Sequence, residues 1–190
     1  MTTRFEFALR PALAQDMVAI TDIYRFHVLA GTGTFALEPA TIEEMTKKWD
    51  EVNALGLPYL VAIHNDHVIG YAYASPFRER PAYGYGAEDS IYIDKDFTGQ
   101  GVGKALLSAL IAACRDCGLY QLYGVIGDSD NLPSIGLHKA LGFEDTGRLP
   151  NAGYKFGRWL DVVFMSLNLR PLETPPQGKG WVKVTHPSLS

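Results

Sequence analysis

The chain has 190 residues, a hydrophobic content of 47% and a formal net charge of −4 at pH 7. This length is enough for one domain with a full hydrophobic core, and the acidic balance argues against nucleic acid or an anionic membrane surface as the main partner. Since no apolar run approaches the length of a membrane span and the N-terminal MTTRFEFALR lacks a signal-peptide core, we expect a cytoplasmic protein.

The first half of the chain predicts strands and helices separated by turn residues. Asn65 and Asp66 lie between two apolar runs and are typical turn residues, so those two runs are expected to form a β-hairpin. The predicted elements are a strand over 5–10, a helix over 12–29, a helix from about 42 to 53, and strands over 59–63 and 67–75.

The second half continues the alternation and ends in a tail. The predicted elements are a strand around 91–93, a helix from Val102, a strand over 121–126, a helix over 134–141, a strand from Phe143 and a strand near 161–169. We expect residues 1–170 to form one domain and the Pro/Gly-rich residues 171–190 to form an extended tail. In that tail, Trp181 and Val184 are candidates to dock on the domain or on a partner subunit.

Cys114 and Cys117 have the C-x-x-C spacing of some redox and zinc sites. They lie at the end of a predicted helix, whereas a reactive thiolate is stabilised at a helix start. Zinc would require two more ligands at similar spacing, and the sequence contains none. We therefore expect an ordinary helix-end pair and no metal.

The most informative segment is TGQGVGK, residues 98–104, between an apolar strand and an amphipathic helix. Gly99, Gly101 and Gly103 leave the turn without side chains, so the N–H groups of the new helix are exposed beside the positive end of its dipole. Such a turn binds anions, most often phosphates. The alternative is a glycine-rich turn that serves only to reverse the chain.

Two common phosphate-binding motifs do not fit this segment. A P-loop requires a glycine at position 98 and a hydroxyl at position 105, where the chain has Thr98 and Ala105. The dinucleotide fingerprint requires a glycine at position 104, which is Lys104, and it normally follows the first strand of a domain. Nucleotide hydrolysis and hydride transfer are therefore not expected.

A third motif does fit. Residues 98–103 are similar to R/Q-x-x-G-x-G/A, the pyrophosphate-binding signature of the GCN5-related N-acetyltransferases, with Thr98 in place of Arg or Gln. From about Phe5 to Leu169 the chain also resembles the phosphinothricin and methionine sulfoximine N-acetyltransferase subfamily, in GYAYASPFRERPAY, AEDSIYIDKD, IGDSDNLPSIGLHKALGF and GYKFGRWLDVVFM. The resemblance implies an α/β acetyltransferase fold with a mixed central sheet, helices on both faces, and an opening after the fourth strand for the pantetheine arm.

The resemblance also implies acetyl-CoA as cosubstrate, no metal, a small amino-acid-like amine as acceptor, and a homodimer. Asn131 and Ser134 precede or begin a predicted helix, so each could instead serve only as a cap. The cofactor-binding residues implied are Ile91, Tyr92, Ile93, Gly99, Gln100, Gly101, Val102, Gly103, Lys104, Asn131 and Ser134.

Glu88 and His138 are the catalytic residues that the resemblance implies. Only a free amine attacks a thioester, and a carboxylate with a raised pKa can take the ammonium proton; the subfamily places its general base at Glu88. Alternation puts Glu88 on the same strand face as Ser90 and Tyr92. His138 occupies the position of a family tyrosine thought to protonate the departing thiolate, and an imidazolium is a competent acid. The alternatives are a solvated Glu88, and a His138 that orients the sulfur or substrate or only packs.

The acceptor side is predicted from three segments. Arg78, Arg80 and Tyr83 lie on the loop before Glu88, and two guanidiniums suit an anionic acceptor, although a solvated charged loop would look the same. Phe35 matches an aromatic residue that walls the acceptor site in the subfamily. GYKFGRW, placed on the last loop, adds Lys155 and Arg158 as candidates.

Two other functions stay open at this point. The fold could act on another amine, such as an aminoglycoside, a polyamine or a protein N-terminus, or it could be a non-catalytic acetyl-CoA-binding module. A polycationic acceptor would favour an acidic cleft, whereas the predicted loop carries two arginines.

Overall fold

The structure is a computed structural model that describes residues 5–173, 175–177 and 180–181. Seven strands of this described part form one sheet in the order β1-β2-β3-β4-β5-β7-β6. All neighbouring strands are antiparallel except β4 and β5, which are parallel. The strands are β1 (Ala8–Pro11), β2 (Tyr59–His64), β3 (His67–Pro76), β4 (Gly86–Ile93), β5 (Gln121–Gly127), β6 (Glu144–Lys155) and β7 (Arg158–Asn168).

Helices cover both faces of the sheet. They are α1 (Met17–Ala30), α2 (Ile42–Ala54), α3 (Val102–Asp116) and α4 (Leu132–Ala140). On one face, Tyr24 of α1 packs edge-on against Tyr92 of β4, with ring centroids 5.3 Å apart. On the other face, a Cβ added at Gly70 of β3 would lie 3.3 Å from the side chain of Leu106 in α3. The mixed sheet flanked by helices, which the family resemblance implies, is confirmed.

The hydrophobic core lies between the sheet and these helices. It includes fully buried side chains from β3 and α3. The apolar residues that alternate along β3, and those on one face of α3, are therefore the ones that point into the core. Fully buried large side chains of these two elements are Ile69 and Tyr71 on β3 and Leu106, Leu107 and Leu110 on α3.

The first helix begins later than its apolar pattern predicts. The Asp16 carboxylate accepts a hydrogen bond from the Leu13 N–H (2.7 Å) and forms an ion pair with Arg10 (2.6 Å). These bonds hold Ala14–Asp16 in a 3-10 turn, and α1 starts after it. The first strand also starts later, at Ala8.

Three boundaries in the second half differ in ways that bear on the site. β4 begins at Gly86, so Glu88 lies within a strand and not at its start. α4 begins at Leu132 because Asn131 is its N-cap. GYKFGRW is a hairpin and not a loop: its two-residue turn has positive φ at both positions, which is the geometry that joins antiparallel strands tightly.

The described part of the tail docks on the domain. The indole N–H of Trp181 donates to the carbonyl of Gly86 (2.8 Å), and the Trp181 backbone N–H bonds to Gly84. Val184 lies outside the described residues. Within the described ranges, no helix is both long and apolar enough to cross a bilayer.

Candidate active site

The sheet opens between β4 and β5. These strands pair in parallel over Gly86–Asp89 and Gln121–Gly124, and β4 then continues to Ile93 and β5 to Gly127. The resulting cleft has a volume of about 1000 Å³. It is lined by the glycine turn, both strand ends, the loop after α1 and the first turns of α4. The opening expected after the fourth strand is therefore present.

The glycine turn forms one end of this cleft. Gly99 and Gly101 have positive φ angles, +74° and +84°, and Gly101 is the N-cap of α3. Among the described residues, nothing lies within 4 Å of where a Cβ would stand at either position. Both glycines therefore allow the turn and leave its backbone open to a ligand.

The other turn residues contribute unequally. Gly103, Lys104 and Thr98 line the cleft, and the Thr98 hydroxyl donates to the Lys95 carbonyl (3.2 Å). Gln100 is exposed and is not part of the cleft lining. The side chain of Val102 is buried in the core, so only its backbone is available to a ligand.

The cleft side of β4 presents backbone amides. The Asp94 N–H bonds to a carbonyl of β3. Because hydrogen bonds alternate along an antiparallel pair, Tyr92 also bonds to β3, and the amides of Ile91 and Ile93 face the cleft. The Ile93 carbonyl accepts a hydrogen bond from Nε2 of His27 (2.8 Å), a residue that sequence reasoning missed.

Glu88 lines the cleft from the face covered by α1 and α2, the face shared with Ser90 and Tyr92. Burial raises the pKa of Glu88 to about 7, and the negative charge of the adjacent Asp89 adds to the rise. The charges of Arg78 and Lys48 act in the opposite direction on the Glu88 pKa. Glu88 can therefore exchange a proton near neutral pH.

Two cations approach Glu88 from different elements. Arg78, which the sequence singled out, stacks over the Phe77 ring (4.2 Å to the centroid) on the loop after β3. Lys48, which it missed, reaches from α2 over the Tyr73 ring (5.9 Å). Neither residue lines the cleft in the described structure, and Arg78 is exposed, so their positive charges act on Glu88 from a rim outside the cleft.

Arg80 and Tyr83 are not brought to the cleft. Both are exposed, and neither is part of the cleft lining in the described structure. Arg80 precedes the 3-10 turn Pro81–Tyr83 as its N-cap, and the Tyr83 ring packs edge-on against Phe77.

His138 reaches the cleft from the opposite face of the sheet and is 2% exposed. Its Nδ1 lies 2.8 Å from the Ser134 carbonyl and its Nε2 lies 3.0 Å from Asp89 Oδ2. Burial alone would lower the pKa of His138, but the hydrogen bond and charge of Asp89 and the Ser134 carbonyl raise it overall. Both ring nitrogens are thus engaged by the protein.

Asn131 and Ser134 meet at the start of α4. Asn131 Oδ1 accepts a hydrogen bond from the Ser134 N–H (3.4 Å), so the capping interpretation of Asn131 is confirmed. Both residues also line the cleft. Contact with a cofactor stays a prediction for each of them.

Phe35 is held in the cleft wall by close packing. A Cβ added at Gly127 or at Gly153 would lie 2.9 Å or 2.5 Å from its ring, so both positions require glycine. Lys155 is buried, and its Nζ donates to the Gly31 and Thr34 carbonyls (2.8 Å each). Lys155 therefore anchors the loop that carries Phe35 and does not point into the cleft.

Arg158, the other candidate on this hairpin, forms an ion pair with the buried Asp128. Burial would raise the pKa of Asp128, but Arg158 and the hydroxyl of Thr32, in the loop before Phe35, lower it overall. Arg158 thus acts on the same loop as Lys155. In the described parts of the chain, no group of three or more His, Cys, Asp or Glu side chains is arranged to hold a metal ion.

Comparison with known proteins identifies the family to which this chain belongs. Residues 20–143 match the model of the acetyltransferase (GNAT) family. A phosphinothricin N-acetyltransferase of Alcaligenes faecalis is 48% identical over 157 residues, which cover 83% of this chain and 78% of the relative. An L-methionine sulfoximine/L-methionine sulfone acetyltransferase of Pseudomonas paraeruginosa is 38% identical over 170 residues, covering 89% of this chain and 98% of the relative.

Solved structures agree with the sequence relatives. The crystal structure of a phosphinothricin acetyltransferase from Sinorhizobium meliloti, in complex with acetyl-CoA, superposes with a TM-score of 0.88 at 44% identity. The match covers 90% of this chain and 94% of that one. Since the family model, the relatives and the fold agree, this chain belongs to the acetyltransferase (GNAT) family.

Proposed function

We propose that the protein is an acetyl-CoA-dependent N-acetyltransferase whose acceptor is a small amino acid analogue such as phosphinothricin, methionine sulfoximine or methionine sulfone. The observation that carries this proposal is the arrangement of charges in and around the cleft. A carboxylate with a pKa of about 7, Glu88, lies beside the cations Arg78 and Lys48, and the glycine turn lies at the other end.

The residues present fit acetyl-CoA. The open space at Gly101 leaves the N–H groups at the start of α3 accessible to a pyrophosphate, and Lys104 adds a positive charge. The cleft-facing amides of Ile91 and Ile93 suit the amide groups of a pantetheine arm. When bound, acetyl-CoA supplies the activated acetyl group as a thioester.

Glu88 is proposed as the general base. The acceptor amine enters as an ammonium, and Glu88 takes its proton so that the free amine can attack. Because the pKa of Glu88 is about 7, a sizeable ionised fraction is present at neutral pH and the group still binds a proton effectively. The same proton can then pass to solvent.

Two groups are proposed to act on the charges that develop during transfer. The N–H groups of Ile91 and Ile93 face the cleft, so one of them can donate to an oxyanion while the other holds the pantetheine arm, whereas the Tyr92 N–H is used by β3. His138 is proposed to assist departure of the thiolate from the other face of the sheet through the positive charge of its ring, because both ring nitrogens are already engaged by Ser134 and Asp89.

The rim cations are proposed to select the acceptor. An amino acid analogue carries a carboxylate next to its amine, and the positive charges of Arg78 and Lys48, which already act on Glu88, would attract that carboxylate while the amine meets Glu88. A polyamine or aminoglycoside would instead bring further positive charge to this rim.

The first prediction concerns acceptor choice. Thiol release from acetyl-CoA should be rapid with methionine sulfone, methionine sulfoximine or the herbicide phosphinothricin. With 3-(methylsulfonyl)propan-1-amine, which is methionine sulfone without its carboxylate, kcat/KM should fall by at least about tenfold. A continuous thiol assay measures both.

The outcomes of this assay separate the alternatives. Preference for spermidine, an aminoglycoside or a peptide N-terminus would replace the proposed acceptor class but keep the acetyltransferase. Absence of thiol release with every acceptor, despite acetyl-CoA binding by calorimetry, would favour a non-catalytic module.

We also propose that the protein is a cytoplasmic homodimer in which residues 1–170 form the catalytic domain. Support for the dimer comes from edge strand β6 and its hairpin with β7. Four large hydrophobic side chains there are 53–60% exposed: Leu149, Tyr154, Phe156 and Trp159.

A charge placed on this hairpin is expected to separate the dimer. Trp159→Lys should give a monomer by analytical ultracentrifugation, because an ammonium would be buried without a partner in the interface. Leu13→Lys, at an exposed hydrophobic residue before α1, should leave the dimer intact. A wild-type monomer at assay concentrations would contradict the proposal.

A further inference from the structure

The side chains of Asp89 and His138 form a hydrogen bond across β5, at the position where β5 has a glycine, Gly124. Asp89 of β4 is the register partner of Gly124 of β5. A Cβ at Gly124 would lie 2.9 Å from Cδ2 and 3.1 Å from Nε2 of His138. The His138 ring therefore crosses β5 directly over Gly124 to reach Asp89, and any larger residue there would displace it.

The hydrogen bonds of this pair define where its protons lie. A carbonyl only accepts, so Nδ1 of His138 carries the hydrogen that it shares with the Ser134 carbonyl. Nε2 then contacts Asp89 Oδ2 at 3.0 Å, and both side chains are 2% exposed. The arrangement is satisfied when an imidazolium donates from Nε2 to an aspartate carboxylate.

Few other charged groups near the His138 ring could take the place of Asp89. On β4 the neighbouring titratable group is Glu88, which points to the opposite face, and on α3 it is Cys114, whose thiol pKa is raised by burial. The Phe143 ring packs edge-on against the His138 ring at 4.8 Å. Asp89 Oδ1 is buried and has no hydrogen-bond partner among the described residues. Asp89 is thus the charged partner of the ring.

We propose that Asp89 is a positioning residue for acetyl transfer: it holds His138 over Gly124 at the opening of the sheet and keeps the ring protonated. This inference rests on the proposed function. It assigns Asp89 a role that acts through His138, and through its charge Asp89 also supports the basicity of Glu88 on the other face of the strand.

The protonation state is tested without turnover. In imidazole ¹⁵N–¹H spectra of the acetyl-CoA-free protein near neutral pH, wild-type His138 should show both nitrogens protonated. Asp89→Asn keeps the shape and a hydrogen-bonding oxygen but removes the charge, so its His138 should show the neutral pattern. A neutral ring in the wild type, or an unchanged charged ring in Asp89→Asn, would overturn the proposal.

The role in turnover is tested by a double-mutant cycle. Asp89→Asn should lower kcat roughly tenfold or more, with the KM for acetyl-CoA within about twofold. At a pH above the Glu88 limb, where the effect of Asp89 on the Glu88 pKa no longer changes the ionised fraction, the double variant with His138→Asn should be about as active as His138→Asn alone, because there Asp89 acts only through His138. Independent, multiplying losses would reject that coupling.

The pH profile distinguishes this role from a purely structural one. Without the Asp89 charge, His138 loses its proton more easily and Glu88 is less basic, so both limbs of the kcat/KM profile should move to lower pH. A structural defect would lower the profile without moving it, and that result would contradict the proposal. If no acceptor is acetylated at all, the proposed function fails, and the spectra still decide whether the pair exists.

Discussion

Replacing Glu88 with glutamine is expected to lower turnover at least about tenfold while leaving acetyl-CoA affinity nearly unchanged. The amide has almost the same shape but cannot take the ammonium proton. Glu88 lies on the face of α1 and α2, away from the glycine turn, so cofactor binding should not sense the change. Steady-state kinetics and calorimetry with acetyl-CoA measure the two effects.

The pH dependence provides a second readout of the same change. Glu88 must be ionised to act as a base, and its pKa is about 7. Wild-type kcat/KM should therefore rise with pH through about 7, and this limb should be missing in Glu88→Gln. Glu51→Gln, on an exposed part of α2, should retain wild-type activity and the limb. Unchanged turnover in Glu88→Gln would remove Glu88 from the mechanism.

Replacing Gly101 with valine is expected to weaken acetyl-CoA binding by about a hundredfold or more. The new side chain would occupy the open space in front of the first N–H groups of α3, where a pyrophosphate is expected to bind. Losing several charge-assisted hydrogen bonds, each contributing roughly 1.5–3 kcal/mol, accounts for this size. Isothermal titration calorimetry measures it directly.

Gly118 offers a matched control on the same helix. It follows the C-terminal end of α3, has φ of +80°, and, within the described structure, has nothing within 4 Å of an added Cβ. Gly118→Val therefore introduces comparable backbone strain away from the cleft. It should lower the melting temperature while keeping acetyl-CoA affinity. Equal affinity losses in both variants would show that strain, and not blockage of the turn, weakens binding.

Local patterns in the sequence predicted most of the fold. The alternation in β3, the turn at Asn65 and Asp66, and the one-sided apolar pattern of α3 each reflect contacts between near neighbours, and each element appears in the structure. The predicted start of α1 was wrong because the observed start depends on hydrogen bonds of one side chain. The carboxylate of Asp16 captures the Leu13 N–H and Arg10, and helix periodicity carries no signal of that turn.

The site was predictable where it follows a motif and less so where it depends on distant contacts. The glycine turn, Glu88 and His138 were named from the sequence, and all three line one cleft. Asp89 was missed although it is next to Glu88, because its partner is 49 residues away in the chain. Lys48 was missed for the same reason, since only the packing of α2 on the sheet brings it near Glu88.

The opening in the sheet separates the residues proposed to bind the acceptor from those proposed to bind the acetyl donor. Glu88 lines it from one face, with the charges of Lys48 and Arg78 outside it, and His138 lines it from the other face, with the glycine turn at its end. Substitutions on the acceptor side can therefore alter which amine fits without disturbing the groups proposed to hold the acetyl donor. A family built in this way can acquire new acceptors by small steps while its donor stays the same, and related proteins named for phosphinothricin and for methionine sulfoximine are what such a division of the molecule would produce.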